Sequence, residues 1–105
     1  YAVDRYTKEV SRLYGVLERR LDEKEYLAGD YSIADIAVFP WTLSFERQGQ
    51  SLDDYPNVKH WFEVINARPA VKRALKVLAD CRLPNFHKDE EAMRYLFGKD
   101  QYKKR

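Results

Sequence analysis

Cysteine is almost absent from this sequence. Cys81 stands alone, so no internal disulfide can form and no paired-thiol motif is available for zinc or redox exchange. A single thiol fits a reducing compartment, and a cytoplasmic location is expected. Histidine is nearly as scarce. His60 falls off the apolar stripe of its helical stretch, and His87 lies in the weakly patterned C-terminal part. Neither has a second ligating residue at metal spacing, so no metal is expected. Glycine and proline number four each, which implies few turns and long elements. Glycine-rich phosphate loops are missing. No apolar run approaches the ~20 residues that span a bilayer, and residues 1–5 mix charge with aromatics, unlike a secretion signal. Positive charge does not gather either. The net charge is +2, and Lys and Arg are spread along the chain, not drawn into the stripe that nucleic acid favours. Lys103, Lys104 and Arg105 read as a solvated tail. Metal, nucleic-acid and membrane roles are therefore not expected, nor is a self-sufficient enzyme.

What remains is helical. The 105 residues suit one small domain, and 45% hydrophobic with 34% charged residues is the mixture of helices with one dry and one wet face. Tyr6, Val10, Leu13, Tyr14, Leu17 and Leu21 recur at three- and four-residue spacings, which predicts a helix over 3–22. Gly15 interrupts it, and close approach of another helix would explain a glycine there. Residues 25–31 form a connector. Ser32, followed three residues later by Asp35, reads as a capping box, with Tyr31 and Ile36 in the positions of a hydrophobic staple. From residue 33 to 45 apolar side chains fall on nearly every side, so this helix is expected at the centre of the domain. Pro40 lies inside it and calls for a kink, or else a break into two helices; the apolar pattern runs on through it, which favours the kink. A polar loop follows over 48–54. Pro56 suits a first helical turn, and Val58, Trp61, Phe62 and Ile65 form the next stripe, ended by Arg68–Pro69. Pro69 opens a fourth helix carrying Val71, Ala74, Leu75 and Leu78, and a short fifth is expected over 89–97. The fold class is thus all-α: an orthogonal or up-down bundle of four to five helices around a buried central helix, with residues 1–79 as the domain and 80–105 as an extension.

Few side chains suggest chemistry. Arg5 projects off the flank of the first helix beside Lys8, Glu9 and Arg12, where it is either solvated or set to meet a carboxylate with its forked donors. Tyr6 and Trp41 are aromatics that suit a core. Ser32 and Asp35 are assigned to structure, as the N-cap of the second helix.

Three strings add a resemblance. YAVDRY at 1–6, SIADIAVFPW at 32–41 and YPNVKHWFEVINARPAVKRAL at 55–75 resemble, in order and spacing, the C-terminal domain of cytosolic-type glutathione transferases. The S-x-A-D and N-A-R-P-A-V segments are general to that fold. YAVDRY is similar to the bacterial Nu-class and fungal Ure2-like glutathione-dependent disulfide-bond oxidoreductases. The resemblance implies an intact subunit with a thioredoxin-like N-terminal domain that holds and activates glutathione, and a helical domain that walls the pocket for an electrophilic or disulfide substrate. It places Arg5 against glutathione, makes Tyr6 and Trp41 candidate pocket walls, and implies a homodimer. The thioredoxin-like half is not in this sequence, so the chain alone is expected to be inactive and to leave apolar surface uncovered. The same fold also implies an alternative, a non-catalytic interaction module as in translation-associated proteins.

Overall fold

A computed structural model describes residues 1–77, 79 and 89–98 of the chain. It divides into two compact units, Tyr1–Ala74 and Leu75–Arg105. Among the described residues there are five α-helices: α1 (Ala2–Glu23), α2 (Ile33–Thr42), α3 (Pro56–Ala67), α4 (Pro69–Lys76) and α5 (Glu90–Phe97). Two short 3-10 turns, Glu46–Gln48 and Leu52–Asp54, occupy the segment between α2 and α3. Among the described residues there is no strand, only isolated bridges within the connector that holds Gly29. The chain is all-α. The expectations for Leu78, Cys81, His87 and the basic tail lie outside the described residues.

The core of the first unit is organised on α3. Val58, Trp61 and Ile65 recur at three and four residues and are 0–1% exposed. Packed with them are Tyr14 and Leu21 of α1, Phe39 of α2, and Leu52 of the second 3-10 turn. α3 contacts both α1 and α2. Phe39 meets the Trp61 ring edge-on, with centroids 6.1 Å apart, and the Phe62 ring at 5.3 Å.

The position of α2 corrects the expectation of a helix buried on all sides. Only Asp35, Phe39 and Thr42 are buried, a single stripe at four- and three-residue spacing. Ile33 is 83% exposed and Trp41 75%. A helix that is apolar all round needs neighbours on every face, and among the described residues α2 has α3 on one. The hub of the first unit is α3. α2 runs unbroken through Pro40 and ends at Thr42, three residues short of the expected Phe45. There the Thr42 hydroxyl donates to the Phe39 carbonyl at 2.7 Å. The chain then tightens into the first 3-10 turn, which closes at Gly49 with a φ of 71°. Gly15 does not mark the close helix contact expected of it. A methyl group at that position would have Arg19 Nη1 of the same helix as its nearest neighbour, 3.7 Å away, and among the described residues no second helix comes as near.

Pro56 opens α3 and Arg68 ends it, as the sequence suggests. A partner without a sequence signature completes the start of α3. The Glu18 carboxylate of α1 accepts hydrogen bonds from the Asn57 and Val58 amides, each at 3.0 Å. These amides belong to the first turn, where no helical carbonyl can serve them, and a negative charge suits that end of the dipole. Glu18→Ala should lower stability by about 1–2 kcal/mol, the effect of emptying a helix cap. A urea midpoint equal to that of the parent chain would refute this.

In the second unit, Asp89 caps α5 by accepting from the Glu91 and Ala92 amides at 3.0 Å each. The helix ends where the Gly98 amide donates to the Arg94 carbonyl.

Candidate ligand-binding surface

Several concavities adjoin α1 among the described residues. The first is an open groove along its N-terminal turns, lined by Tyr1, Asp4, Arg5, Tyr6, Lys8, Glu9 and Arg12. Its charges are largely matched in pairs one helical turn apart. Lys8 reaches Asp4 at 2.9 Å. Arg12 forks onto Glu9, with Nε and Nη2 each 2.8 Å from a separate carboxylate oxygen. That fork holds the Glu9 carboxyl below its usual range, with the charges of Arg12 and Arg5 adding to the effect. Arg5 differs from its neighbours. Its Nη1 donates to the neutral Tyr1 hydroxyl at 3.2 Å, and no carboxylate pairs with it among the described residues.

The second concavity is an apolar cleft of about 290 Å³ between α1 and α2. Val10, Leu13, Tyr14 and Leu17 form one side, Val38, Trp41 and Thr42 the other, and Gln48 closes it. Its polar groups are used internally. The Tyr14 hydroxyl donates to Gln48 Oε1 at 3.0 Å, and Gln48 Nε2 donates to the Trp41 carbonyl at 3.0 Å. Burial, with Tyr55 beside it, pushes the Tyr14 phenol up, so it acts as a neutral donor near pH 7. The rest of the lining is mainly apolar side chain, and the Thr42 hydroxyl is turned to the Phe39 carbonyl.

Of the residues selected from sequence, Arg5 and Tyr6 line the first groove and Trp41 lines the cleft. Tyr6 is 67% exposed, so neither it nor Trp41 is a core residue. Among the described residues, the groove that holds Arg5 and the cleft that holds Trp41 are separate. Val10 links the two regions, since it lines both the cleft and a third depression that contains Tyr6. Sequence periodicity places Tyr14 in the α1 stripe without assigning its hydroxyl. The available signal is chemical: a phenol within an apolar stripe needs a partner. Gln48 has no such signal.

Ser32 and Asp35 lie at the start of α2. Ser32 Oγ accepts from the Ala34 amide at 3.2 Å, Asp35 Oδ2 accepts from the Ser32 amide at 3.0 Å, and the capping box is complete. Asp35 has further partners. Its Oδ1 accepts from the Trp61 indole N–H at 2.8 Å and from the Leu27 amide at 3.1 Å. The side chain is fully buried, and three N–H groups from three segments converge on it. Tyr31 of the expected staple is occupied elsewhere, edge-on to Tyr26 and with the Arg68 guanidinium 3.7 Å from its ring centre; Ile36 is exposed.

Among the described residues no cluster of His, Cys, Asp and Glu is suited to a metal, and no helix is long and apolar enough to cross a membrane.

Residues 2–69 match the family model for the C-terminal domain of glutathione S-transferase. The chain is 50% identical over 76 residues to the disulfide-bond oxidoreductase YfcG of Escherichia coli K12, covering 71% of this chain and 35% of that protein. It is 40% identical over 81 residues to a second disulfide-bond oxidoreductase of that organism, YghU, covering 70% of this chain and 28% of that protein. A probable glutathione S-transferase of Oryza sativa subsp. japonica is 40% identical over 80 residues, covering 73% of this chain and 36% of that protein. The chain thus spans about a third of the length of these relatives. The family match takes in α1, α2 and α3 and stops at the first residue of α4. With that match over most of the first unit, and relatives at this level of identity, the chain belongs to the glutathione S-transferase C-terminal domain family.

Proposed function

We propose that this chain forms the substrate-side wall of a glutathione-dependent enzyme, either a glutathione transferase or a disulfide-bond oxidoreductase. The carrying observation is Arg5: on a groove where Lys8 and Arg12 are bound by carboxylates, it makes no ion pair among the described residues and donates to the Tyr1 phenol. A guanidinium so placed suits the carboxylate of an incoming ligand, here glutathione. The apolar face shared by α1 and α2, with Trp41 and Leu13 at its rim, offers one side of a cleft to the second substrate, with Tyr6 at its approach.

On this reading the parent subunit also carries a thioredoxin-like domain, which activates the glutathione sulfur as a thiolate. The thiolate then attacks an electrophilic carbon, or one sulfur of a disulfide. In the second case a mixed disulfide forms as the original S–S bond breaks, and the displaced sulfur leaves as a thiolate. The residues of this chain bind and orient the reactants and exclude water. None is assigned to take the thiol proton, so the chain by itself is inactive. Residues 1–79 form the helical domain and 80–105 an extension. A cytoplasmic homodimer is the expected state of the parent.

The test joins the chain to its upstream sequence and measures glutathione binding by calorimetry. Arg5→Ala should weaken affinity about tenfold, the effect of losing a charge-assisted hydrogen bond. Equal affinity in the two proteins would remove the assigned role. A non-catalytic docking module of the same fold would bind no glutathione in either form.

A further inference from the structure

Arg5 does not stand alone in its groove. Its Nη1 donates to the Tyr1 hydroxyl at 3.2 Å, one helical turn before it. In that bond the Tyr1 oxygen is the acceptor, so its own O–H proton has no partner among the described residues. Tyr1 is 94% exposed and lines the same groove as Arg5. A phenol oxygen already accepting from a guanidinium is polarised, and its O–H becomes a better donor. The remaining N–H groups of the guanidinium and this O–H are therefore donors held side by side. Lys8 and Arg12 are engaged by Asp4 and Glu9, so they do not compete for an anion.

We propose that Tyr1 is a binding residue of this groove, and that its hydroxyl and the Arg5 guanidinium together grip a single carboxylate of glutathione. The inference rests on the reading of Arg5 as a glutathione contact and adds a second donor to it. Among the described residues the groove has one side-chain cation without a carboxylate partner, so it fits one carboxylate and not a pair. The phenol supplies direction as well as attraction: an acceptor that satisfies both donors must lie beside the Arg5–Tyr1 bond, toward the solvent side of α1. A point charge at position 5 would hold the same anion without fixing where it sits.

The contact is read on the chain joined to its upstream sequence, as in the binding test above, with nuclear magnetic resonance following the Arg5 side chain directly. The isotope-labelled chain is titrated with glutathione, and in parallel with its diethyl ester, which lacks both carboxylates. The Arg5 side-chain N–H signal should shift and saturate with glutathione and stay still with the ester. Tyr1→Phe keeps the ring and removes only the hydroxyl. It should weaken binding roughly three- to tenfold, as for the loss of one hydrogen bond of ordinary net strength. Arg5→Lys keeps the charge but loses the fork, and in that background Tyr1→Phe should have little further effect, because the two donors act as a unit. If Arg5 responds to glutathione but Tyr1→Phe binds as tightly as the parent, the clamp is wrong and the reading of Arg5 stands. If Arg5 does not respond to glutathione, or responds equally to the ester, both fall. Full additivity of the two substitutions would also overturn the clamp, leaving two separate contacts.

Discussion

Asp35→Ala should destabilise the first unit by about 3–5 kcal/mol, because three N–H donors lose their acceptor together and each unsatisfied buried donor carries a penalty of ~1–3 kcal/mol, partly relieved by relaxation. The donors are the Trp61 indole and the Leu27 and Ser32 amides. The unit spans Tyr1–Ala74, for which a total stability of roughly 4–11 kcal/mol is ordinary. The substitution therefore removes a large part of it. Ser32→Ala provides the contrast. Ser32 is only partly buried and its side chain caps one amide, so its loss should amount to ~1 kcal/mol. Read from the sequence as two halves of one capping box, the pair would be worth ~1–2 kcal/mol each; the bonds to Trp61 and Leu27 raise Asp35 well above its partner. Denaturant unfolding followed by circular dichroism separates the two. Equal midpoint shifts for Asp35→Ala and Ser32→Ala would show that the additional bonds contribute nothing.

Trp61→Ala should have an effect of similar size, about 3–5 kcal/mol, as for other large-to-small changes in a packed core. The ring is 1% exposed and meets Phe39 edge-on, so its removal leaves a void at the junction of α2 and α3. It also takes one donor from the Asp35 carboxylate. Trp61→Phe fills most of the void while removing the N–H, and should fall between Trp61→Ala and the parent chain. Because Asp35 and Trp61 share a bond, the double variant Asp35→Ala/Trp61→Ala should lose less than the sum of its parts. A loss of under ~1 kcal/mol for Trp61→Ala would contradict the placement of the core on α3.

Much of the secondary structure is legible from local rules. Periodicity marks α1, α3 and α5, and Pro56, Pro69 and the Ser32–Asp35 spacing mark three helix starts. These signals act within one or two turns. The burial of α2 is not legible in the same way. An apolar helix announces that it needs neighbours, but its sequence does not say which faces this length of chain covers. The polar partners are hidden for a related reason. Glu18 meets amides 39 and 40 residues away, and Tyr14 meets Gln48 across 34 residues; nothing beside either residue encodes the other. Gly15 misleads because a glycine is compatible with close packing without requiring it.

The candidate site follows the same division. Arg5 can be placed on the flank of α1 from helical geometry, while its selection over Lys8 and Arg12 comes from the resemblance of YAVDRY. The structure supplies a physical difference among the three, since the other two are held by carboxylates. Tyr6 and Trp41 look equally suited to core or pocket because an aromatic on a stripe serves either. Their exposure depends on the open faces of α1 and α2, which again is a matter of what lies opposite.

The convergence on Asp35 also bears on how this region moves. Its three donors come from the connector, from the start of α2 and from the middle of α3, segments that no stretch of secondary structure joins. If one donor withdraws, the carboxylate loses part of what offsets its removal from water, and its hold on the other two weakens at once. The connector cannot loosen by itself, and α2 cannot swing away while the indole stays in place. Through this one carboxylate the three segments are coupled.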